Sequence, residues 1–168
     1  MNLKKLSISI TTILSLQTSL FALTPMLSLS PMTSPIAKLS YIDKIKSSVN
    51  IISPQAFYTK VKNDEEMIVI DIREKHQQRH GEVDVDDLLQ ITRGYLEFEI
   101  IKNVPDQNKF IVVYCCTGSR SALAAKTLSD MGCKNVYSLG GGIRQLVDEN
   151  IPIMTTYGQM IIFDDEKF

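Results

Sequence analysis

The sequence predicts an α/β protein with a mostly parallel central sheet and helices on both of its faces. Two short, unbroken apolar runs, Met67–Ile70 and Phe110–Tyr114, have the pattern of strands that are buried on both sides. Amphipathic segments alternate with such runs, and the clearest helix is Ser121–Met131, which Gly132 can terminate. Alternation of this kind, without an internal repeat, is typical of a parallel sheet that is covered by crossover helices.

The other elements follow in order along the chain. Ser53 is suited to cap a helix that begins at Pro54, where the missing N–H of proline costs nothing. Gly140-Gly141-Gly142 is interpreted as a strand-to-helix turn, since it lacks the spacing of a nucleotide-binding loop. The further predicted strands are Val49–Ile52, Leu88–Ile91 and Val136–Leu139, and the further predicted helices are Glu74–Arg79, Tyr95–Ile101 and a last one with Ile143, Leu146 and Val147 on its inner face.

The first 22 residues differ from the rest of the chain. Lys4 and Lys5 precede an uncharged, largely apolar stretch that ends near Ala22, which is the pattern of a secretory signal peptide. Leu6–Leu23 is also just long enough for an uncleaved membrane anchor, although its many hydroxyl residues favour the signal. We therefore expect an exported, periplasmic protein that contacts the membrane only if the leader is retained.

Proline and serine dominate the segment that follows the leader, so residues 23–48 are predicted to be a tether, with at most a short turn of helix at Tyr41–Lys46. The folded domain is predicted to cover residues 49–154, and residues 155–168 are predicted to be a C-terminal tail.

Composition excludes several classes of function. The chain of 168 residues has a formal net charge of −1, so no basic surface for nucleic acid is expected. Its three cysteines, of which Cys115 and Cys116 are adjacent, do not form a disulfide framework. His76 and His80 lack ligand-like neighbours in the sequence, and we expect neither a metal nor a cofactor.

The chemistry is predicted to lie at the end of the Phe110–Tyr114 strand. The strand delivers Cys115 to the carboxyl edge of the sheet, where open α/β folds place their ligands. The small residues that follow, including Gly118, allow the backbone to curl with its N–H groups inward, and a helix that starts near Arg120 adds its positive end. A thiolate held in such a cup should form more readily than that of a free cysteine.

The pattern Cys115-x-x-Gly118-x-Arg120-Ser121 resembles the active-site loop of the rhodanese family of sulfurtransferases. Several motifs in the correct order make this resemblance specific over about residues 49–154. The other matching segments are Val69-Ile70-Asp71-Ile72-Arg73-Glu74, Arg93-Gly94-Tyr95-Leu96-Glu97-Phe98, and Asn135-Val136-Tyr137-Ser138-Leu139 with Gly141-Gly142.

The resemblance implies a single-domain, rhodanese-like sulfurtransferase. Its Cys115 thiolate would take the outer sulfur of a donor such as thiosulfate and pass the resulting persulfide sulfur to a thiol or to cyanide. The loop residues implied to bind the substrate are Cys116, Thr117, Gly118, Ser119 and Arg120, and those implied to support the site are Asp71, Arg73 and Ser121.

Some interpretations stay open at this stage. Cys116 is either a passive small residue, which we favour, or a resolving thiol that protects Cys115 from over-oxidation, and Cys133 is expected in the core. The acidic loop over residues 82–87 suggests a protein partner, and it motivates an alternative in which the domain is a sulfur carrier or binding module without turnover. A phosphatase or arsenate reductase relative is a third possibility, but the resemblance associates the six residues from Cys115 to Arg120 with sulfur transfer.

Overall fold

Five parallel strands form the central sheet of the protein, in the spatial order β1-β5-β4-β2-β3. The computed structural model describes residues 35–161, with side chains from residue 41 onward. The strands of the sheet are β1 (Asn50–Ile52), β2 (Ile68–Asp71), β3 (Leu88–Gln90), β4 (Phe110–Tyr114) and β5 (Asn135–Leu139). The helices are α1 (Pro35–Ser48), α2 (Pro54–Lys62), α3 (Lys75–Gln78), α4 (Leu96–Asn103), α5 (Ser119–Asp130) and α6 (Gly142–Asp148), with a short 3₁₀ helix at Arg93–Tyr95.

The sheet has an apolar core on each of its faces, as the sequence predicts. Side chains of β4 alternate between them, so Ile111 and Val113 join one core while Val112 joins the other. The first core is closed by residues of α4 and α5, and the second by residues of α2 and α6. The predicted α/β class, with a parallel sheet between helical layers, is confirmed.

The predicted tether is wrong for its last fourteen residues, which form α1. The predicted turn at Tyr41–Lys46 lies inside this helix, which packs against α5. Pro35 occupies the first position of α1, where a proline is compatible with a helix, so proline content alone is a poor guide to a tether. The predicted leader and the first part of the tether lie outside the described residues.

The predicted boundary at residue 154 also falls inside an element. Two antiparallel strands, β6 (Ile153–Thr155) and β7 (Gly158–Met160), form a hairpin, and Met154 bridges to Glu82. Thr155 and β7 belong to the predicted tail and pair in this hairpin with the strand that contains the buried Ile153, so the start of the tail is part of the fold. Over residues 35–161, none of the helices combines the length and apolar character that a membrane crossing requires.

The turn between β5 and α6 brings that helix against the end of β4. The amide of Ile143 donates to the carbonyl oxygen of Cys115 at 2.9 Å, and the amide of Arg144 donates to that of Cys116 at 3.1 Å. Gly142 has a φ of +64°, and a Cβ at this position would overlap the Cys115 carbonyl oxygen and the Cys116 backbone. The predicted strand-to-helix turn is confirmed, and its last glycine is required by this close approach.

We expect the substitution Gly142→Ala to lower the free energy of unfolding by at least about 2 kcal/mol, because it adds both a backbone clash and a strained φ. Gly94→Ala is the matched control, since a Cβ there has no neighbour within 4 Å, and it should change stability by less than about 0.5 kcal/mol. Denaturant titration of both variants measures the difference, and equal stabilities would contradict this account of the turn.

Candidate active site

Cys115 lies directly after β4 with its side chain turned toward the α5 side of the sheet. It is only 1% exposed and continues the alternation of Ile111 and Val113 into the first core. Its sulfur is not surrounded by apolar groups alone, because the Sγ atom is 3.7 Å from the hydroxyl oxygen of Ser121. The Ser121 hydroxyl accepts from Ser138 at 2.8 Å and donates to the Gly118 carbonyl at 3.1 Å.

The Ser121 contact places the sulfur beside the positive end of α5. Gly118 is the N-cap of this helix, with a left-handed φ of +84° that glycine adopts without strain. Ser121 is the third residue of α5, and the N–H groups of a first helical turn lack acceptors within the helix. Their partial positive charge favours an anion at this end of the helix, while activation of the Cys115 thiol by inward-facing amides stays a prediction.

A cavity of about 450 Å³ lies over the cysteine loop. Its wall contains the partly buried side chains of Cys116 and Arg120, whereas Cys115 is below the surface. The lining residues described by the structure include no aspartate or glutamate. They are Arg73, His76, Gln77, His80, Gly81, Cys116, Arg120, Ile143, Arg144 and Ile153. This composition suits a negatively charged ligand.

Arg120 connects the cysteine loop to α3. One of its terminal nitrogens, Nη2, donates to the side-chain oxygen of Gln77 at 3.0 Å and lies 3.3 Å from the sulfur of Cys116. These contacts hold the guanidinium at the cavity wall, where it can pair with an anionic group of a substrate or with an anionic sulfur.

Asp71 and Arg73 form a buried network that builds the neighbouring wall. Arg73 donates to both carboxylate oxygens of Asp71 and to the Gly81 carbonyl, and the Tyr114 hydroxyl donates to Asp71 at 2.9 Å. Burial alone would lower the pKa of Arg73, but the hydrogen bonds and charge of Asp71 outweigh it and raise that pKa, with smaller contributions from Tyr114 and Cys116. Arg73 therefore remains a cation whose charge is balanced by Asp71.

Only some residues of the predicted binding loop line the cavity. Cys116 and Arg120 line it, whereas Thr117 is exposed outside its wall, and Gly118 and Ser119 form the start of α5. Asp71 is fully buried behind Arg73, and Ser121 contacts Cys115, so both are placed to support the site.

The sequence interpretation does not identify several side chains that line the cavity or contact the residues around Cys115. Arg144 lines the cavity from the first turn of α6, and its position two residues after Gly142 at the carboxyl edge of the sheet was a usable signal. Ser138 lies in β5 between Tyr137 and Leu139, and its contact with Ser121 depends on the position of α5. Gln77 carries no such signal, because its role depends on where α3 lies.

The acidic loop and the third cysteine lie apart from this cavity. Glu82 and Asp84 line other depressions of the surface, so the 82–87 loop does not contribute a carboxylate to the cavity wall. Cys133 is 9% exposed in the first core, as expected, and its burial raises the pKa of its thiol. Within residues 35–161 there is no group of three or more His, Cys, Asp or Glu side chains arranged to hold a metal ion.

We expect the free energy of unfolding to decrease at alkaline pH because of Tyr114, whose hydroxyl belongs to the Asp71 network. Burial and the charge of Asp71 raise the pKa of Tyr114 above its ordinary value, so the folded chain retains the phenol proton after the unfolded chain loses it. The stability that wild type gains over Tyr114→Phe should therefore be complete below about pH 10 and decrease above it by up to about 1.4 kcal/mol per pH unit.

Denaturant titrations of wild type and Tyr114→Phe between neutral and alkaline pH measure this difference. Tyr157→Phe is the control, because Tyr157 is 90% exposed and its hydroxyl meets solvent in both states. A stability difference between wild type and Tyr114→Phe that stays constant above about pH 10 would contradict the prediction.

Comparison with known proteins agrees with the resemblance seen in the sequence. A model of the rhodanese-like domain family matches residues 40–149. A Bacillus subtilis protein described as a candidate sulfur carrier, YrkF, is 33% identical over 100 residues, which are 58% of this chain and 51% of that protein. The thiosulfate sulfurtransferase PspE of Escherichia coli is 36% identical over 74 residues, which are 43% of this chain and 67% of PspE.

A solved structure extends the comparison to three dimensions. The polysulfide-sulfur transferase homodimer of Wolinella succinogenes has a TM-score of 0.63 and 29% identity, covering 71% of this chain and 88% of that one. The match to YrkF spans only about half of that relative's length, so the activities of whole relatives do not transfer directly. With the family match, the cysteine loop at the end of β4 and the parallel sheet, the chain belongs to the rhodanese-like domain family.

Proposed function

We propose that this protein is a sulfurtransferase that moves sulfane sulfur from an anionic donor such as thiosulfate, through a persulfide on Cys115, to a thiol or cyanide. The observation that carries the proposal is the cavity over the cysteine loop, which is lined by arginine and histidine without a carboxylate among the described residues. The relatives that transfer or carry sulfur support the reaction in general, and PspE supports thiosulfate as the donor.

The first step is a displacement at sulfur. The Cys115 thiolate attacks the outer sulfur of thiosulfate, the S–S bond of the donor breaks, and its electron pair leaves with sulfite. The positive end of α5 stabilises the anionic sulfur before the attack and the anionic persulfide after it. In the second step the acceptor attacks the outer persulfide sulfur and restores the thiolate, giving thiocyanate from cyanide or a new persulfide from a thiol.

The donor's sulfonate group would be held by arginine. Arg120 and Arg144 line the cavity and can donate charge-assisted hydrogen bonds to this group, while Arg73 is buried against Asp71. Apart from Arg120, the residues that follow Cys115 in the loop, Cys116, Thr117, Gly118 and Ser119, are uncharged. Arg144 supplies from α6 a cation that the loop itself lacks.

Mass spectrometry can test whether Cys115 is the nucleophile. After incubation with thiosulfate, peptide mass spectrometry should find one additional sulfur on the cysteine loop, and cyanide should remove it. Cys115→Ser should abolish this adduct, whereas Cys133→Ser, which replaces a buried thiol outside the cysteine loop, should retain it. Absence of an adduct with thiosulfate and with polysulfide would contradict the proposal.

A steady-state assay with thiosulfate and cyanide separates an enzyme from a carrier. The relative described as a candidate sulfur carrier and the 1% exposure of Cys115 favour, as a second candidate, a module that holds the persulfide for a partner. Such a module would load Cys115 once and would show no steady-state turnover with thiosulfate and cyanide.

The arginines that line the cavity lead to a prediction about donor binding. Arg120→Gln and Arg144→Gln should each raise the KM for thiosulfate about tenfold, because each removes a charge-assisted hydrogen bond to the donor. Arg79→Gln is the matched control, since this exposed arginine lines a neighbouring depression rather than the cavity, and its KM should stay within about twofold. Equal effects of all three substitutions would indicate a general effect of charge instead.

Export also stays a proposal, because the segment on which it depends lies outside the described residues. The intact mass of the protein recovered from its native cells decides it: a chain shortened near Ala22 supports export with cleavage, and a full-length chain in the cytosolic fraction contradicts it.

A further inference from the structure

We propose that Ser138 is a positioning residue for the reacting sulfur, because it holds the Ser121 hydroxyl where that group can donate a hydrogen bond to the Cys115 thiolate. The inference deepens the proposed function and rests on it, since it concerns the ionised form of the same nucleophile. It assigns a role to a strand residue that the sequence interpretation does not single out.

The two hydroxyl groups and the thiol form a buried chain of hydrogen bonds. Ser121 and Ser138 are fully buried, and Cys115 is 1% exposed. The Ser121 oxygen accepts from the Ser138 hydroxyl at 2.8 Å and from the Cys115 thiol at 3.7 Å. The Ser121 hydroxyl itself donates to the Gly118 carbonyl at 3.1 Å. Ser121 thus accepts two hydrogen bonds and donates one, which is the full capacity of a hydroxyl group.

Ionisation of Cys115 requires a different direction for the Ser121 proton. A thiolate has no proton to donate, so the Ser121 oxygen would present a lone pair to an anionic sulfur. Rotation of the hydroxyl turns its proton from the Gly118 carbonyl to the sulfur instead, since such a proton takes the direction that its partners favour. The new hydrogen bond has a charged acceptor and is therefore stronger than the bond to the carbonyl that it replaces.

The Gly118 carbonyl can release the Ser121 hydroxyl without losing its last partner. Its oxygen also accepts from the Ala122 amide at 3.1 Å, within the first turn of α5. The rotation therefore leaves no buried carbonyl unpaired, and the backbone of the cysteine loop does not need to move.

Ser138 contributes to this hydrogen bond from β5. Its hydroxyl occupies one lone pair of the Ser121 oxygen and approaches from the sheet rather than from the helix. Consecutive hydroxyl groups polarise one another, so the donation from Ser138 strengthens the hydrogen bond that Ser121 makes to an anion. The same contact holds the first turn of α5 against the strand.

The hydrogen bond is matched to the thiolate rather than to the persulfide. In a persulfide anion the charge lies mainly on the outer sulfur, about 2.05 Å beyond Sγ, whereas Ser121 contacts Sγ. During discharge the acceptor bonds to the outer sulfur, the S–S bond breaks, and its electron pair returns to Sγ. Ser121 should therefore assist both the attack by Sγ in loading and the departure of Sγ in discharge.

The test measures single-turnover loading of the full chain with thiosulfate by mass spectrometry. Ser121→Ala should lower the maximal loading rate about tenfold and Ser138→Ala about threefold, without changing the thiosulfate concentration that gives half of that rate. Thr127→Val is the matched control, since it removes a hydroxyl of the same helix that contacts Arg93 and the Leu123 carbonyl. Its loading rate should stay within about twofold of wild type.

The double variant Ser121→Ala/Ser138→Ala separates this role from a purely structural one. Ser121→Ala leaves the buried Ser138 hydroxyl without its acceptor, so the loss of both hydroxyls should restore part of the free energy of unfolding that the single variant loses. The loading rate should stay as low as in Ser121→Ala alone, because Ser138 acts through Ser121. A packing role would restore the rate together with the stability.

Three results would overturn the inference: loading by Ser121→Ala within about twofold of wild type, recovery of the loading rate in the double variant, or a further loss of about threefold when Ser138→Ala is added to Ser121→Ala. If wild type gains no sulfur from thiosulfate or polysulfide, the proposed function fails instead. The hydrogen bond is then tested by alkylation with iodoacetamide in chains whose only thiol is Cys115, because the thiolate is the reactive form. The variants should keep the same order of rates, and equal rates would overturn the inference.

Discussion

The close approach of α6 to the end of β4 is the constraint on which the site depends. Two consecutive amides of α6 donate to the two consecutive carbonyls of Cys115 and Cys116, and this is possible only because Gly142 has no side chain. The same contact fixes the direction in which each cysteine side chain leaves the backbone. It also brings Ile143 and Arg144 to the cavity wall, so a structural contact and a binding function use the same turn of helix.

A second restraint comes from the other side of the loop. The Asp71–Arg73 pair and the Tyr114 hydroxyl join the ends of β2 and β4 to the carbonyl of Gly81. A buried ion pair contributes little net stability, but the loss of one partner leaves an uncompensated charge and is costly. The network is therefore better suited to holding the cavity wall in one arrangement than to stabilising the whole fold. Of the arginines that line the cavity, Arg73 is the one that this network holds against Asp71.

The sequence predicts those parts of the fold that depend on local pattern. The apolar runs of β2 and β4, the Ser53 cap with Pro54, and the glycine that ends α5 each carry their own signal, and the structure confirms them. The prediction fails where proline content suggested a tether, because Pro35 begins a helix whose partner, α5, is distant in sequence. The hairpin of β6 and β7 is missed for a similar reason, since its attachment to Glu82 is a long-range contact.

The candidate site also has parts that the sequence predicts and parts that it does not. The cysteine loop can be predicted from the sequence, because the strand, the glycine and the start of the helix follow one another in the chain. The contribution of Gln77 to the cavity wall could not be predicted, because it depends on where α3 lies in the fold. The side on which each thiol lies depends on the alternation of β4: Ile111 and Val113 place Cys115 toward α5, and the next residue must turn the other way. The residue that follows Cys115 is therefore directed into the cavity wall, where Cys116 lies.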